Sequence, residues 1–284
     1  MNTLNIRRFA GRSASVNAWL VSNRTHVFLI DALRDEKEAA ELADLIAATG
    51  KELHAVLVTH GHPDHYIGLR TLKERFPRTR LLVASEAVKS DIIGFSQWME
   101  SVGWLDAIPR MKVKTKSQPE GFDYSAEIEV LSSGNLTLPG GGQIQLRTDY
   151  PAMEAPHVTT VCVKELNALF TSDIVYNGVH AWAGPGVTRE NIRNWLATIA
   201  DLKLRFAHTG VTLYPGHGAP GGLELLDGIR AYLSDFEAAA DRSVSNAAMT
   251  ERIEHLYPAH EQADFLLVHS VAFQGPDNRK AVSA

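Results

Sequence analysis

The chain has 284 residues, 45% of them hydrophobic, with 28 Lys and Arg against 33 Asp and Glu for a formal charge of -5, enough apolar material for one large core or two small ones. That balance leaves no basic stripe to follow a phosphate backbone, which argues against a nucleic acid substrate. No run of about 18 apolar residues could cross a bilayer, Arg7 and Arg8 near the start are not followed by an apolar signal region, and the single cysteine, Cys162, can form no internal disulfide, so a soluble cytoplasmic protein is expected.

Val16 to Ser22 and His26 to Ile30 read as two strands about a turn at Ser22-Asn23-Arg24, and the second runs into Asp31. Residues 34 to 49 place Ala39, Leu42, Leu45 and Ile46 at helical spacing, with Gly50 as the stop. Ala55 to Thr59 is a short β-branched run that predicts a buried strand, and it ends abruptly in His60-Gly61-His62-Pro63-Asp64-His65. Tyr66 to Phe76 reads as a helix closed by Pro77, and Leu81 to Ala84 as a strand, so the first half alternates strand and helix. Residues 86 to 125 break the rhythm. Ile92, Ile93, Phe95, Trp98, Met99, Val102, Trp104 and Leu105 make them too apolar for a solvated loop, and they predict either a helix packed on the core or a lid facing a substrate.

Further strands are expected at Glu127 to Leu131, Gln143 to Arg147, Thr159 to Val163 and Ala168 to Thr171, the last leading into Ser172-Asp173. Cys162 falls in the third of these and reads as a small core residue. A loop at Gly184, Pro185 and Gly186 precedes an amphipathic helix from Arg189 to Leu204, then a strand from Val211 to Tyr214 that ends in Pro215-Gly216-His217-Gly218. Leu223 to Ala240 and the residues from Glu251 onward read as helices, and the tail after Gln274 is expected to fray.

Three histidines and an aspartate within six residues, at the exit of one strand, form a metal-binding pattern. Gly61 permits an unusual backbone angle and Pro63 fixes another, so His60 and His62 can turn to one metal while Asp64 and His65 turn to a second. Neutral imidazoles with a carboxylate suit zinc or a neighbouring first-row metal. Asp31, His60, Asp173 and His217 each stand at the end of a predicted strand, where ligand sites of strand-and-helix folds collect, so they can converge on one cleft.

On these residues the chain resembles the metallo-β-lactamase fold superfamily, from about Val16 to about Pro220, its HxHxDH signature standing here as His60, His62, Asp64 and His65. The resemblance implies an α/β fold, a four-layered αββα sandwich over residues 1–221 with an apolar insert near 86–125, and C-terminal helices in 222–284 packed on the same domain. It implies one metal held by His60, His62 and His157, a second held by Asp64, His65 and His217, Asp173 bridging the two, and Asp31 orienting a ligand from behind. At His157 the chain departs from the pattern, with Ala155-Pro156 ahead of it where the family often has Gly. The implied cofactors are two divalent ions, zinc first, with iron and manganese as alternatives. Two carboxylates against four positive charges would leave a surplus of about +2. Such a surplus lowers the pKa of a bound water to about 7 and polarises a carbonyl.

A bridging carboxylate at Asp173 points away from true β-lactamases, His62 stands where flavodiiron relatives carry an acid, and the C-terminal helices offer no basic cluster to hold the glutathione of glyoxalase-type thioesterases. Tyr176 lies three residues after Asp173, a spacing similar to that of the acyl-homoserine lactonases, whose tyrosine reaches the substrate carbonyl. His180 and Trp182 follow as candidates to line the pocket. The expected function is a dinuclear metal-dependent hydrolase in which a metal-bridging hydroxide attacks a small lactone or ester, with Asp64 or Tyr176 moving protons. Alternatives are a glyoxalase II-like thioesterase or β-lactam hydrolase on the same site, a non-catalytic metal-binding protein on the same fold, and a mononuclear iron enzyme like the persulfide dioxygenases. The expected partner is a small-molecule substrate, with neither nucleic acid nor membrane, and Trp98 and Trp104 leave a homodimer open.

Overall fold

The computed structural model describes residues 4–278, whose strands fall into a six-stranded and a five-stranded sheet accompanied by helices, the α/β class expected of an αββα fold. Two units can be told apart, Met1–Tyr150 with His157–Leu169 and Pro151–Pro156 with Phe170–Ala284. The change of unit falls between 150 and 170, inside the span read from sequence as one domain, and the helices after 222 are part of the second unit.

The first unit builds the six-stranded sheet in chain order from Asn5–Ala10 (β1), Asn17–Ser22 (β2), His26–Ile30 (β3), Glu52–Leu57 (β4), Arg80–Val83 (β5) and Ile128–Val130 (β6). β1, β2 and β3 pair antiparallel, and β3 to β6 pair parallel. Short turns join the first three, whereas parallel neighbours need helical crossovers: Glu36–Ala48 (α1), Leu69–Arg75 (α2), and Glu86–Ser101 (α3) followed by the short Tyr124–Glu127 (α4). Asp35 caps α1 by accepting from the Lys37 and Glu38 amides, and Gly50, at φ +67, takes the left-handed position just past its end. Leu42 and Ile46 of α1 and Leu69 and Leu72 of α2 share one buried core with Val27, Leu29, Val56 and Val58. Each such side chain contributes about 1.5–3 kcal/mol relative to exposure. That packing, rather than helix propensity, holds α2, which has only 7 residues.

Strand β1 has no counterpart in the sequence reading, because Asn5, Arg7 and Ala10 are exposed and no alternation of apolar residues announces this edge. Helix α2 begins at Leu69 rather than Tyr66, because Pro63–His65 forms a 3₁₀ turn and Gly68 lies so close to Ala32 that a Cβ would collide with its carbonyl oxygen. In the insert, Val88, Ile92 and Met99 of α3 join the core with Leu105, Met111, Phe122 and Tyr124, as a core-packed helix requires. Trp98, Val102 and Trp104 remain exposed. Asn135–Thr137 (β7), Gln143–Arg147 (β8) and Thr160–Val163 (β9) pair as an antiparallel meander. Cys162 is half-buried in β9 rather than in the core, and desolvation raises its thiol pKa.

In the second unit Ala168–Asn177 (β10), from Phe170 on, neighbours Thr212–Gly218 (β11), with Arg189–Phe206 (α5), Glu224–Arg242 (α6), Asn246–Leu256 (α7) and Val268–Gln274 (α8). Thr188 and Asn191 form a capping box at the start of α5, whose Trp195, Ile199 and Leu202 are buried. The Trp195 indole donates to the Ile174 carbonyl at 2.9 Å and so ties α5 to β10. The expected fraying after Gln274 does not begin there: the Gln274 amide donates to the carbonyls of Ala183 and Val187, and the Asp277 and Asn246 side chains accept from each other's backbone N–H. Residues 279–284 lie outside the described part. Among the described residues, no helix is long and apolar enough to cross a membrane.

Candidate metal centre

In the first unit the donors sit where β3 and β4 end. Asp31, at φ +63, follows β3 in a backbone conformation uncommon for a non-glycine residue, held there by its N–H donating to the Leu57 carbonyl at 2.8 Å. Its buried carboxylate accepts from the Thr59 amide at 2.8 Å and from the Thr59 hydroxyl at 3.0 Å, and it lies 2.8 Å from His65 Nδ1. Burial pushes the Asp31 carboxyl above the ordinary range, against the opposing pull of His65 and Thr59. The bond to Asp31 sets the Nδ1–H form of His65, which makes Nε2 the lone-pair nitrogen. Thr59 Oγ1, having given its proton to Asp31, can accept from His60 Nδ1 at 3.1 Å, which fixes the same form in His60. The His60 ring lies 4.9 Å from that of His62 and 4.2 Å from that of His65, and Asp64 Oδ2 stands 3.7 Å from His65 Nε2. Gly61 is required within this turn because a Cβ would meet Asp91 of α3.

In the second unit Asp173 lies within β10 rather than at its end, since the strand continues past an irregularity at Ser172, φ +51, as far as Asn177. Tyr176 Oη donates to Asp173 Oδ2 at 2.6 Å and comes within 3.5 Å of Glu154 Oε1. With one proton to give, the shorter contact is the hydrogen bond. The Tyr176 ring stacks on His217 at 4.7 Å and 8°, and His217 Nε2 stands 3.2 Å from Asp173 Oδ2. Glycine at position 216 allows this approach: a Cβ there would collide with Asp173 Oδ1. Two buried carboxylates, an imidazole and a phenol thus share one small volume. Such a concentration of acids is costly to bury unless a positive charge accompanies it.

Of the residues singled out by sequence, His60, His62, Asp64 and His65 meet in the first unit, and Asp173, Tyr176 and His217 meet in the second. His157 differs. Its neighbours Val158 and Thr159 are tied to His60 and Thr59, but its own Nδ1 is held by Asp91 Oδ2 at 2.8 Å, and its side chain is 48% exposed. His180 and Trp182 pack inward: His180 Nδ1 lies 3.0 Å from the Tyr232 hydroxyl, and Trp182 stacks on Phe265. Glu154 went unread in the sequence, although it is an acid in the short segment Pro151–Pro156 and stands three residues before His157. Neutral imidazoles with their orientation fixed from behind, together with buried carboxylates, are the donor chemistry of divalent first-row cations.

The family profile described as the metallo-beta-lactamase superfamily matches residues 12–217. A metallo-beta-lactamase type 2 from Bacillus cereus is 26% identical over 222 residues, 77% of this chain and 73% of its own. A hydroxyacylglutathione hydrolase from Aeromonas salmonicida (strain A449) is 32% identical over 82 residues, and the match spans 29% of this chain and only 30% of that enzyme's length. Among solved structures, a metallo-beta-lactamase family protein from Thermus thermophilus shares the fold at a TM-score of 0.62 and 17% identity, covering 95% of this chain and 93% of its own. A metallo-beta-lactamase from Pontibacter korlensis does so at 0.54 and 16% identity, covering 81% and 94%. The profile spans well over half of the sequence and contains the whole histidine motif, and the chain therefore belongs to the metallo-beta-lactamase superfamily.

Proposed function

We propose that the chain is a metal-dependent hydrolase of small lactones or related esters that uses two divalent cations, with His60, His62, Asp64 and His65 of the first unit and Glu154, Asp173 and His217 of the second as the donors. The observation that carries this reading is the bracing of the histidine loop, in which Asp31 and Thr59 hold Nδ1 of His65 and His60. A histidine that merely fills a core has no need of such orientation. Glu154 replaces His157 in this donor set, so three carboxylates face the charge of two divalent cations and leave about +1 rather than +2. Cations held there supply an acidified water and a Lewis acid for a carbonyl.

The chain's own groups do the positioning. Asp31 and Thr59 keep the imidazole lone pairs aimed, and Tyr176 fixes the Asp173 carboxylate by its 2.6 Å hydrogen bond. Tyr176 Oη also carries a proton that can pass to a leaving alkoxide once that bond is given up. This supports an oxygen leaving group, and hence lactones or esters. The similarity to a hydroxyacylglutathione hydrolase makes thioesters the second reading, and the similarity to a metallo-beta-lactamase type 2 makes β-lactams the third. Zinc is the first choice of metal, with iron or manganese as alternatives, and the setting is cytoplasmic with a small-molecule substrate.

Lactones, thioesters, β-lactams and phosphodiesters assayed against zinc-loaded protein test the reading. Lactones should give the highest kcat/KM, and His60→Ala should lose bound metal together with about a thousandfold in rate, since a Lewis acid supplies several kcal/mol. Faster turnover of thioesters than of any lactone would move the substrate to the second reading. No turnover by a metal-loaded protein would make it a binding protein, and a single iron per chain with oxygen consumption would make it an oxygenase.

A further inference from the structure

Helix α3 presents two faces. Val88, Ile92 and Met99 point into the core of the first unit. Along another face, at intervals of three or four residues, stand Asp91, Phe95, Trp98 and Val102, which the helical period places in one stripe. The stripe begins at the histidine loop: Asp91 packs against Gly61 and holds His157, and the Phe95 ring meets the His62 ring edge-on at 5.5 Å. From Phe95 the rings continue outward in T-shaped contacts, 5.2 Å to Trp98 and 5.0 Å from Trp98 to Trp104. Trp98, Val102 and Trp104 are 37%, 47% and 44% exposed. Single exposed apolar residues are ordinary, but a continuous row that starts at a metal donor marks a binding surface.

We propose that this row is the seat of an apolar tail on the substrate, an uncharged acyl chain, and that it sets the specificity of the hydrolase inferred above, on which the proposal rests. From Phe95 to Val102 the helix advances about 10 Å at 1.5 Å per residue. An extended chain of about eight carbons, with bonds of roughly 1.5 Å in a zigzag, covers that distance. The sequence holds no Lys or Arg from Asp91 to Pro109, while Glu100 and Asp106 lie within that span. Lys112, the cation nearest the end of that span, is paired with Asp106 at 2.7 Å, so a phosphate or a peptide carboxylate would have to compete with that ion pair, whereas an alkyl chain needs no counter-charge. Ring faces turned by edge-on packing offer it flat apolar contact.

The experiment compares 4-nitrophenyl esters from acetate to decanoate on the zinc-loaded full chain. In the wild type kcat/KM should rise about twofold per methylene, through KM, and level off near octanoate; complete enclosure would give about fourfold, and this seat is half open. Trp98→Ala and Trp104→Ala should each cut the octanoate-to-acetate ratio of kcat/KM about tenfold through KM, Trp98→Phe should restore most of it, and Leu204→Ala, at an exposed apolar residue of α5, should keep the wild-type ratio. Calorimetric titration with decanoate reads the seat without turnover. If no ester is hydrolysed but decanoate binds the wild type and not Trp98→Ala, the seat stands and the hydrolase reading falls. A flat chain-length series in an active wild type, or wild-type ratios in both tryptophan variants, overturns the seat. A wild-type dimer that Trp104→Ala splits into monomers with the ratio unchanged also overturns it and gives the patch to a second copy of the chain.

Discussion

In the first unit four donors, His60, His62, Asp64 and His65, come from six consecutive residues, and their brace, Asp31, comes from the end of the neighbouring strand. In the second unit Glu154, Asp173 and His217 come from three separate pieces of chain, and Asp173 is the hub on which a phenol and an imidazole meet. A turn shaped by Gly61 and Pro63 carries its donors locally and relies on neighbours behind it for aim. Asp173 and His217, carried on β10 and β11, are aimed by the sheet itself and depend on close backbone approach, which is why Gly216 stands against Asp173, while Glu154 comes from the irregular segment Pro151–Pro156.

The sharpest way to break this contrast is to remove the brace and leave every donor in place. Asp31→Asn sets an amide N–H against His65 Nδ1–H and favours the wrong ring tautomer, so metal affinity should fall about 10- to 100-fold, as read by competition with a chromophoric chelator. Binding as tight as in the wild type would mean that the loop aims itself. A weaker break tests the other unit. Glu154→Gln should lower the affinity of one metal about tenfold and push the stoichiometry toward one ion per chain, whereas His157→Ala, at a half-exposed side chain paired with Asp91, should change affinity by less than about twofold. The reverse pattern would restore His157 to the place that the family resemblance gave it.

The same contrast explains what could be read in advance. The motif His60 to His65 and the strands that lead into it were legible because local spacing and apolar runs specify them; His26–Ile30 has the same bounds in sequence and structure. Asp173 and His217 were legible as metal-capable residues at the ends of predicted strands, and the resemblance supplied the roles expected of them. Glu154 was not, since nothing local distinguishes it from a surface acid, and only the fold brings it to Tyr176. The partner of His157 was not legible for a related reason: a ligand-like position along the chain does not decide between a metal and the nearby carboxylate of Asp91, which lies 2.8 Å from its Nδ1. Strand β1 was missed because an edge strand with Arg7 and Arg8 shows little apolar period, and it is held by pairing to β2.

The smallest effect belongs to a histidine used differently from those of the loop. His180 is buried in the second unit, its Nδ1 3.0 Å from the Tyr232 hydroxyl and its ring 5.4 Å from that of His260. Burial first, and the neighbouring His260 second, push its pKa from 6.5 down to about 4. Because the folded value lies below the unfolded one, the unfolded chain takes up a proton between these pH values that the folded chain refuses. Stability present above pH 6.5 is therefore lost as pH falls through that window. At about 1.4 kcal/mol per pH unit, the fall from pH 6.5 to pH 5 would cost about 2 kcal/mol, reduced to about 1 kcal/mol by partial solvent screening of the cluster. His180→Asn keeps a polar partner for Tyr232 but does not titrate, so its urea midpoint should decline less steeply than the wild type's between pH 7 and pH 5. Every other titratable group is common to both proteins, so the difference between the two curves reports His180 together with the His260 ring coupled to it. Parallel curves would show that His180 takes up its proton in the folded state.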